Sequence, residues 1–269
     1  MFNFFKKKSV PLNIKIIDET YSNSESIIEP LIKELDDYSN RKKLEKIKIE
    51  VIIPKEFHNT IYHNSNESVQ KMIDLYGISL NESNGYFCTP LISNPNCFKI
   101  LINKNILDDI QFYGTVYHEF THIVDFNEYI KTYGNPDVMD KFQKRNNYYY
   151  EFYLWTEFNA KKIGMRRLMI EYKKNEFNVA FPQLTNLFMQ NVRNEKDTLR
   201  RLYYLVHFFA RITECGSRKI KNNDEVYPKD FLKSYFGLRV FELHKALEKT
   251  TDFNEFQNNR KKLKEIIDY

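Results

Sequence analysis

Apolar side chains recur at two different periods in the first part of the chain. Residues 23–38, NSESIIEPLIKELDDY, place isoleucines and leucines three to four positions apart, which predicts an amphipathic helix. Residues 46–54, KIKIEVIIP, instead alternate apolar and charged side chains and end at Pro54, which predicts a half-buried strand. The N-terminal part is therefore expected to contain both helix and sheet.

A short helix and a hairpin are predicted next. Residues 66–77, NESVQKMIDLYG, have a helical period, with Asn66 in the position of an N-cap and Gly77 at the expected end. Two runs rich in β-forming residues follow within 84–103, and Asn94-Pro95-Asn96 separates them. This arrangement predicts two antiparallel strands joined by a turn.

Apolar side chains recur at helical spacing from Asn105 almost to the end of the sequence. We expect one helix from Asn105 to about Tyr129 and further helices over 148–174, 183–192, 195–214, 236–249 and 252–267. The pattern predicts an α+β fold whose sheet-containing front half leads into an all-helical C-terminal half. We place the domain boundary after residue 175, which gives a core in 1–175 and a helical subdomain in 176–269 packed on that core.

Composition narrows the class of protein. With 42% hydrophobic and 16% aromatic residues, the chain can bury a sizeable core, which excludes disordered and collagen-like classes. No stretch approaches the roughly 18 apolar residues of a membrane span, and MFNFFKKKSV at the start lacks the order of a secretion signal. Cys88, Cys97 and Cys215 form neither a C-x-x-C pair nor an even framework. These features predict a cytoplasmic protein with reduced thiols and no membrane partner.

The stretch YHEFTHIVD, residues 117–125, carries the strongest chemical signal. On a helix, positions i and i+4 lie on one face, so His118 and His122 point the same way and can hold one metal ion. In HExxH zinc enzymes the glutamate between the histidines is the general base, which here is Glu119. The motif therefore predicts a Zn²⁺ site with Glu119 as a catalytic residue.

A zinc site of this kind needs a third protein ligand, and three glutamates are candidates. Glu128 has the spacing of the metzincin pattern, but that pattern needs a glycine where this chain has Asp125. Glu151 lies in a tyrosine-rich stretch and is also compatible with a surface position. Glu157 is a single carboxylate within an apolar helical stripe, and a buried carboxylate needs a partner. We favour Glu157, with Glu151, Glu128 or a buried salt bridge of Glu157 as alternatives.

The motif helix and the later TEFNA segment resemble the gluzincin branch of the zincin metallopeptidases. HEFTHIVD is similar to the active-site helix of thermolysin-like enzymes, and the chain as a whole resembles the ImmA/IrrE-like proteins of bacteria and mobile elements. The resemblance covers about residues 46–165; the helix-turn-helix of some relatives is not recognisable, and the tail after residue 180 matches nothing in the family. It implies a zincin-like small twisted sheet with an active-site helix, metal binding by His118, His122 and Glu157, and peptide hydrolysis.

Two further residues are candidates for supporting roles. Asp125 lies one turn after His122 and can accept the second N–H of a metal-binding histidine, although a capping or surface role fits the sequence equally well. His207, with Tyr203 and Tyr204 nearby, is a candidate donor to the oxyanion that develops during peptide hydrolysis. Core or surface packing is the alternative for His207, Tyr203 and Tyr204.

Three functions are compatible with these observations. The leading one is an intracellular zinc peptidase whose substrate is a peptide or protein, by family analogy a regulatory protein such as a repressor. The second is a binding protein that keeps the zincin scaffold and contacts nucleic acid or a protein partner through basic helices in 141–174 and 193–221. The third is a secreted metalloprotease toxin, against which the missing signal and the unpaired cysteines argue.

Overall fold

The computed structural model describes two compact units, Met1–Asp108 and Asp109–Tyr269. The residues it describes are 13–20, 24–42, 44, 47–65, 67–76, 80–81, 83–135, 146–174, 180–215 and 223–268. The first unit contains a four-stranded mixed sheet and the second is helical, so the predicted α+β class is confirmed.

The sheet of the first unit has the strand order β1-β2-β4-β3. Its strands are β1 Asn13–Asp18, β2 Lys48–Ile53, β3 Gly85–Cys88 and β4 Cys97–Ile102. β2 pairs in parallel with both β1 and β4, whereas β3 and β4 form the predicted antiparallel hairpin. β1 was not predicted, although NIKIID alternates apolar and polar positions in the same way as β2.

β2 differs from the predicted half-buried strand towards its C-terminal end. Ile49, Val51 and Ile53 are buried on one face as expected, but Ile52 on the other face is buried as well. Ile52 belongs to an apolar cluster with Phe57, Ile61, Ile73, Cys88 and Leu101. A central parallel strand is covered on both faces, so strict alternation breaks down where the covering elements pack.

Three helices accompany the sheet. They are α1 Ser24–Lys42, α2 Phe57–Asn64 and α3 Glu67–Tyr76. The predictions of α1 and α3 are confirmed, whereas α2 was missed because eight residues give too short a helical pattern. The predicted cap Asn66 and end Gly77 of α3 lie outside the described residues. Cys88 and Cys97 are buried free thiols.

The second unit contains the motif helix and, within its described residues, six further helices. These are α4 Gln111–Tyr133, α5 Tyr149–Lys174, α6 Phe181–Asn194, α7 Thr198–Cys215, α8 Lys229–Phe236, α9 Val240–Lys249 and α10 Phe253–Ile267. The helix predicted over 236–249 is confirmed from Val240 onwards, but its predicted start is wrong, because Gly237 at φ +78° ends the preceding helix α8, which was not predicted. The predicted boundary at 175/176 falls outside the described residues, and helices on both sides of it pack within this one unit.

A close contact between α4 and α5 brings the motif helix against its neighbour. A Cβ added at Gly164 would lie 2.6 Å from the Gly114 carbonyl oxygen, and one added at Gly114 would lie 3.1 Å from the Gly164 carbonyl oxygen. Only glycine at both positions allows this approach of two backbones. The helices run antiparallel, because Gly114 meets Gly164 while Asp125, eleven residues later on α4, meets Thr156.

Aromatic side chains fill the core beyond this contact. Trp155 is fully buried, stacks on Phe256 and donates from its indole nitrogen to the Thr250 carbonyl oxygen at 2.9 Å. Phe152 contacts Tyr129 on α4 and Phe253 on α10, so α5 is held on both sides. None of the helices that the structure describes has the length and apolar character needed to cross a bilayer.

Candidate metal centre

The two motif histidines meet on one face of α4. The distance between the Nε2 atoms of His118 and His122 is 3.2 Å, and their ring centroids are 4.8 Å apart. A tetrahedral zinc ion with bonds of about 2.0–2.1 Å requires ligand atoms about 3.4 Å apart. The spacing of four residues along one helix is therefore sufficient to place both nitrogens at distances suitable for one ion.

Glu157 on α5 completes a three-membered set. Its carboxylate oxygens lie 3.8 Å from His122 Nε2 and 4.0 Å from His118 Nε2. Glu157 is 8% exposed, and the close approach at Gly164, two turns further along α5, brings this stretch of the helix against the motif. The carboxylate predicted from a single acidic position in an apolar stripe thus lies beside both histidines.

The other two candidate glutamates lie elsewhere. Glu128 is exposed near the end of α4, and its carboxylate pairs with Lys131 at 3.2 Å. Glu151 is buried at the start of α5, where its charge acts on Tyr129. Among the described residues, neither belongs to a cluster that can hold a metal ion.

Glu119 also lies close to both histidines, although Glu157 is the carboxylate nearest to them. One of its oxygens and one nitrogen from each of His118 and His122 all lie within 4.8 Å of one another. It is 6% exposed, and burial together with the neighbouring Glu157 raises its pKa well above the usual range, while Lys161 opposes this shift. A carboxyl group in this position can exchange a proton with a water molecule that is held between it and the metal ligands.

Asp125 reaches the site through a residue that the sequence did not single out. The Thr156 hydroxyl donates to Asp125 Oδ2 at 2.8 Å and lies 3.1 Å from His122 Nδ1. Since the single hydroxyl proton goes to the carboxylate, His122 must donate its Nδ1–H to Thr156. This leaves the Nε2 lone pair of His122 facing His118 and Glu157, which is the tautomer that a metal ligand needs.

Asn159 also holds Asp125, donating from Nδ2 to Oδ2 at 3.1 Å and lying 3.4 Å from Oδ1. The predicted contact of Asp125 with a histidine is thus indirect. Thr156 was missed because nothing in TEFNA distinguishes a threonine that accepts a ring N–H from one that merely packs. Its position directly before Glu157 is the only signal that the sequence offered.

Replacement of Thr156 by valine removes this link without changing the shape of the side chain. We expect zinc affinity to fall by about 10-fold to 100-fold, the usual effect of losing a partner that orients a metal-binding histidine. Competition with a chromogenic chelator measures the change, and Thr156→Ser is the control that should restore affinity. Equal affinity in the valine variant would show that His122 is oriented without the hydroxyl.

His207 on α7 lies beside Glu157. Its Nε2 atom is 2.9 Å from Glu157 Oε2, its ring lies 4.1 Å from that of Tyr203, and its centroid is 5.8 Å from that of His118. His118, Glu157 and His207 form a second group whose ligand atoms lie within 4.8 Å of one another. The structure therefore brings His207 to the candidate site, where its ring contacts the Glu157 carboxylate.

Burial determines the charge state of the cluster. It lowers the pKa of His122 to about 3 and that of His118 well below the usual range, the latter helped by the charges of His122 and Lys161. Burial also raises the pKa of Glu157 to about 8, against the opposing effects of Lys161 and Tyr153. The imidazoles are thus neutral, which is the form that coordinates a divalent cation, whereas Glu157 holds a proton that a bound cation would displace. The residues present fit such an ion.

No protein-family model, no curated protein and no solved structure matches this chain. The site therefore rests on its own geometry: His118 and His122 form one potential metal-binding group with Glu119, His118 forms another with Glu157 and His207, and Glu157 lies within 4.0 Å of both motif histidines.

Proposed function

We propose that this chain is a zinc-dependent peptidase. The observation that carries the proposal is the convergence of His118 Nε2, His122 Nε2 and the Glu157 carboxylate within 4.0 Å, next to a second buried acid, Glu119. Two histidines and one carboxylate leave one coordination position open, as catalytic zinc sites do and structural zinc sites do not.

Each residue of the site has a defined task in this proposal. His118, His122 and Glu157 would hold a divalent ion, which would act as a Lewis acid towards the scissile carbonyl and would make a water molecule more acidic. Glu119 accepts a proton from that water as the water attacks the carbonyl carbon, and then delivers the proton to the leaving amine. Asp125 acts through Thr156 to hold His122 in the tautomer that binds metal.

His207 and Tyr203 are placed to support the reaction from α7. His207 shares a hydrogen bond with Glu157, and its ring contacts the Tyr203 ring. We propose that the Tyr203 hydroxyl or the second nitrogen of His207 donates to the oxyanion, a role that requires only a donor directed at the developing charge. Burial and the charges of Glu157 and Glu119 raise the pKa of Tyr203 well above its usual range, which keeps the phenol protonated as a donor.

The class of substrate is a further part of this proposal. The resemblance to ImmA/IrrE-like proteins favours an intracellular regulatory protein over bulk protein, and it is the only ground for that choice. The alternative of a nucleic-acid-binding scaffold is less well supported by the contacts of α5. Arg166 pairs with Glu214, Arg167 with Glu171, and the Lys162 ammonium lies over the Phe158 ring. These basic groups already contact other side chains of the protein, so they are poorly placed to bind phosphates.

Metal-dependent cleavage of a random decapeptide library, followed by mass spectrometry, tests the proposal. The zinc-loaded protein should generate new peptide ends, removal of the metal with phenanthroline should stop this, and added zinc should restore it. A protein that takes up one zinc per chain yet leaves every peptide intact would contradict peptidase activity, and a protein that takes up none would contradict the site itself.

A further inference from the structure

The Glu157 carboxylate is contacted by a side chain from a second helix. His207 on α7 places its Nε2 atom 2.9 Å from Glu157 Oε2, which is a hydrogen-bond distance. Further along the same two helices, Arg166 donates to both carboxylate oxygens of Glu214, at 2.7 Å and 2.9 Å. Two contacts at different heights hold α7 along α5, so the position of His207 opposite Glu157 does not depend on one side chain alone.

The hydrogen bond between His207 and Glu157 has a defined direction when Glu157 binds a metal ion. A coordinated carboxylate has lost its proton and can only accept, so the contact at 2.9 Å requires a proton on His207 Nε2. A protonated ring nitrogen has no lone pair for a metal. The two atoms are also closer than the roughly 3.4 Å between two ligand atoms of one tetrahedral zinc ion. The contact therefore fits a donor to the ligand better than a further ligand.

The carboxylate of Glu157 can accept this bond and still bind a metal ion, because a carboxylate offers about four lone-pair sites. His207 uses one of them on Oε2, and Tyr153, one turn earlier on α5, also hydrogen-bonds to the carboxylate. The other oxygen, Oε1, lies 3.8 Å from His122 Nε2. His207 thus holds one oxygen of Glu157 while the other faces a motif histidine.

We propose that His207 is a positioning residue, which donates its Nε2–H to Glu157 Oε2 and thereby directs the carboxylate towards the metal. This inference rests on the proposed peptidase function and deepens it, because it makes α7 part of the metal site. A glutamate side chain has several rotatable bonds, and a hydrogen bond to a charged acceptor at a site shielded from water restricts them. Metal-binding carboxylates are commonly held by such partners.

The same assignment selects between the two oxyanion donors of the proposed function. A neutral imidazole carries one ring proton, and with that proton on Nε2 the Nδ1 atom of His207 can accept a hydrogen bond but cannot donate one. The Tyr203 hydroxyl is then the donor that remains, and the Tyr203 ring lies 4.1 Å from that of His207.

The zinc affinities of two His207 variants test the proposal. His207→Phe keeps a flat ring but removes the donor, and we expect zinc affinity to fall by about 10-fold to 100-fold, the usual effect of losing a partner that holds a metal ligand. His207→Gln places an amide N–H close to the former position of Nε2 and should recover most of the lost affinity. Competition with a chromogenic chelator measures both variants.

Phe208→Leu is the matched control on the same helix. Phe208 is buried, stacks on Phe188 at 4.2 Å and directly follows His207, so its replacement disturbs the packing of α7 without removing the donor. Zinc affinity should remain that of the wild type. A loss in this variant as large as that in His207→Phe would assign the effect to the packing of the helix and overturn the proposal.

Nitrogen-15 NMR of the zinc-loaded wild-type protein with labelled histidine provides a second test, which needs no variant to fold. The ring of His207, assigned through its backbone resonances, should carry its proton on Nε2, whereas His118 and His122 should carry theirs on Nδ1 because their Nε2 atoms face the metal. A His207 ring without a proton on Nε2 would overturn the proposal.

The outcomes separate this inference from the proposed function. Equal zinc affinity of His207→Phe and the wild type, or a glutamine variant as weak as the phenylalanine variant, would overturn the positioning role while the peptidase activity of the wild type could still be measured. A wild-type protein that takes up no zinc would instead contradict the metal site on which the peptidase function depends.

Discussion

Replacing Glu157 by alanine is expected to lower zinc affinity by at least about 100-fold, since even the loss of a residue that only orients a ligand costs 10-fold to 100-fold. The carboxylate lies 3.8 Å and 4.0 Å from the two histidine nitrogens and is the only acid of α5 in a metal-binding cluster among the described residues. Metal content per chain after dialysis against a zinc buffer, followed by chelator competition, measures the loss. His122→Ala should show a similar effect.

Glu128→Ala is the matched control for this measurement. It removes the same functional group from an exposed position at the end of the motif helix, where the carboxylate pairs with Lys131. Zinc affinity should remain that of the wild type. If Glu157→Ala retained full zinc occupancy while remaining folded, His207, which lies within the same cluster, would become the third ligand, and the site would hold a metal with three imidazoles.

The central part of the site could be predicted because it depends on local geometry. A separation of four residues on one helix is enough to bring two side chains together, so His118 and His122 needed no knowledge of the fold. Glu157 was found by a different argument, that a carboxylate within an apolar stripe must have a partner. Its partners, however, became known only when α4 and α5 were seen to be antiparallel and in contact at Gly114 and Gly164.

The remaining residues depend on packing that no local period encodes. Thr156 matters because its hydroxyl lies between Asp125 and His122, which belong to another helix. His207 contacts Glu157 only because α7 packs beside α5, and in the sequence it looks like an ordinary residue of an amphipathic helix. The direction of a helix relative to its neighbour follows from the connection between them, and residues 175–179 gave no pattern from which to predict it.

The errors in the fold have equally specific causes. α2 was missed because eight residues give too few helical turns for a reliable assignment. β1 was overlooked although its six residues alternate as those of β2 do. The predicted helix over 236–249 ignored Gly237, whose positive φ is a common way to end a helix. The long helices α5 and α7 were predicted well because each presents several turns of a consistent pattern, whereas α4 was placed correctly but begins at Gln111 rather than at Asn105, because a short 3-10 turn occupies Lys104–Ile106.

α5 contributes two neighbouring residues with different tasks to the site. Glu157 lies beside the histidines, and Thr156 links His122 to Asp125. Because these two residues are adjacent, a rotation of α5 about its axis would disturb metal binding and the orientation of His122 together. The burial of Trp155 and its hydrogen bond to Thr250 resist such a rotation from the opposite side of the helix.

Replacing Glu119 by glutamine is expected to lower kcat/KM for peptide cleavage by about 100-fold to 10,000-fold, the usual contribution of a general base, while one zinc ion per chain remains bound. The amide keeps the shape of the side chain but cannot accept the proton of the attacking water, and His118, His122 and Glu157 are unchanged. Kinetics on a peptide selected from the cleaved library, together with metal analysis, provide both readouts.

Glu128→Gln removes the same charge from the same helix and should cleave at the wild-type rate, so that an effect of net charge can be separated from an effect of position. Retained cleavage in Glu119→Gln would assign the base to another residue, for which the described structure offers one main candidate. His207 is neutral because burial and the charge of Lys161 lower its pKa well below the usual range, and it lies within hydrogen-bonding distance of Glu157. The double variant with His207→Gln would then be the one that loses activity.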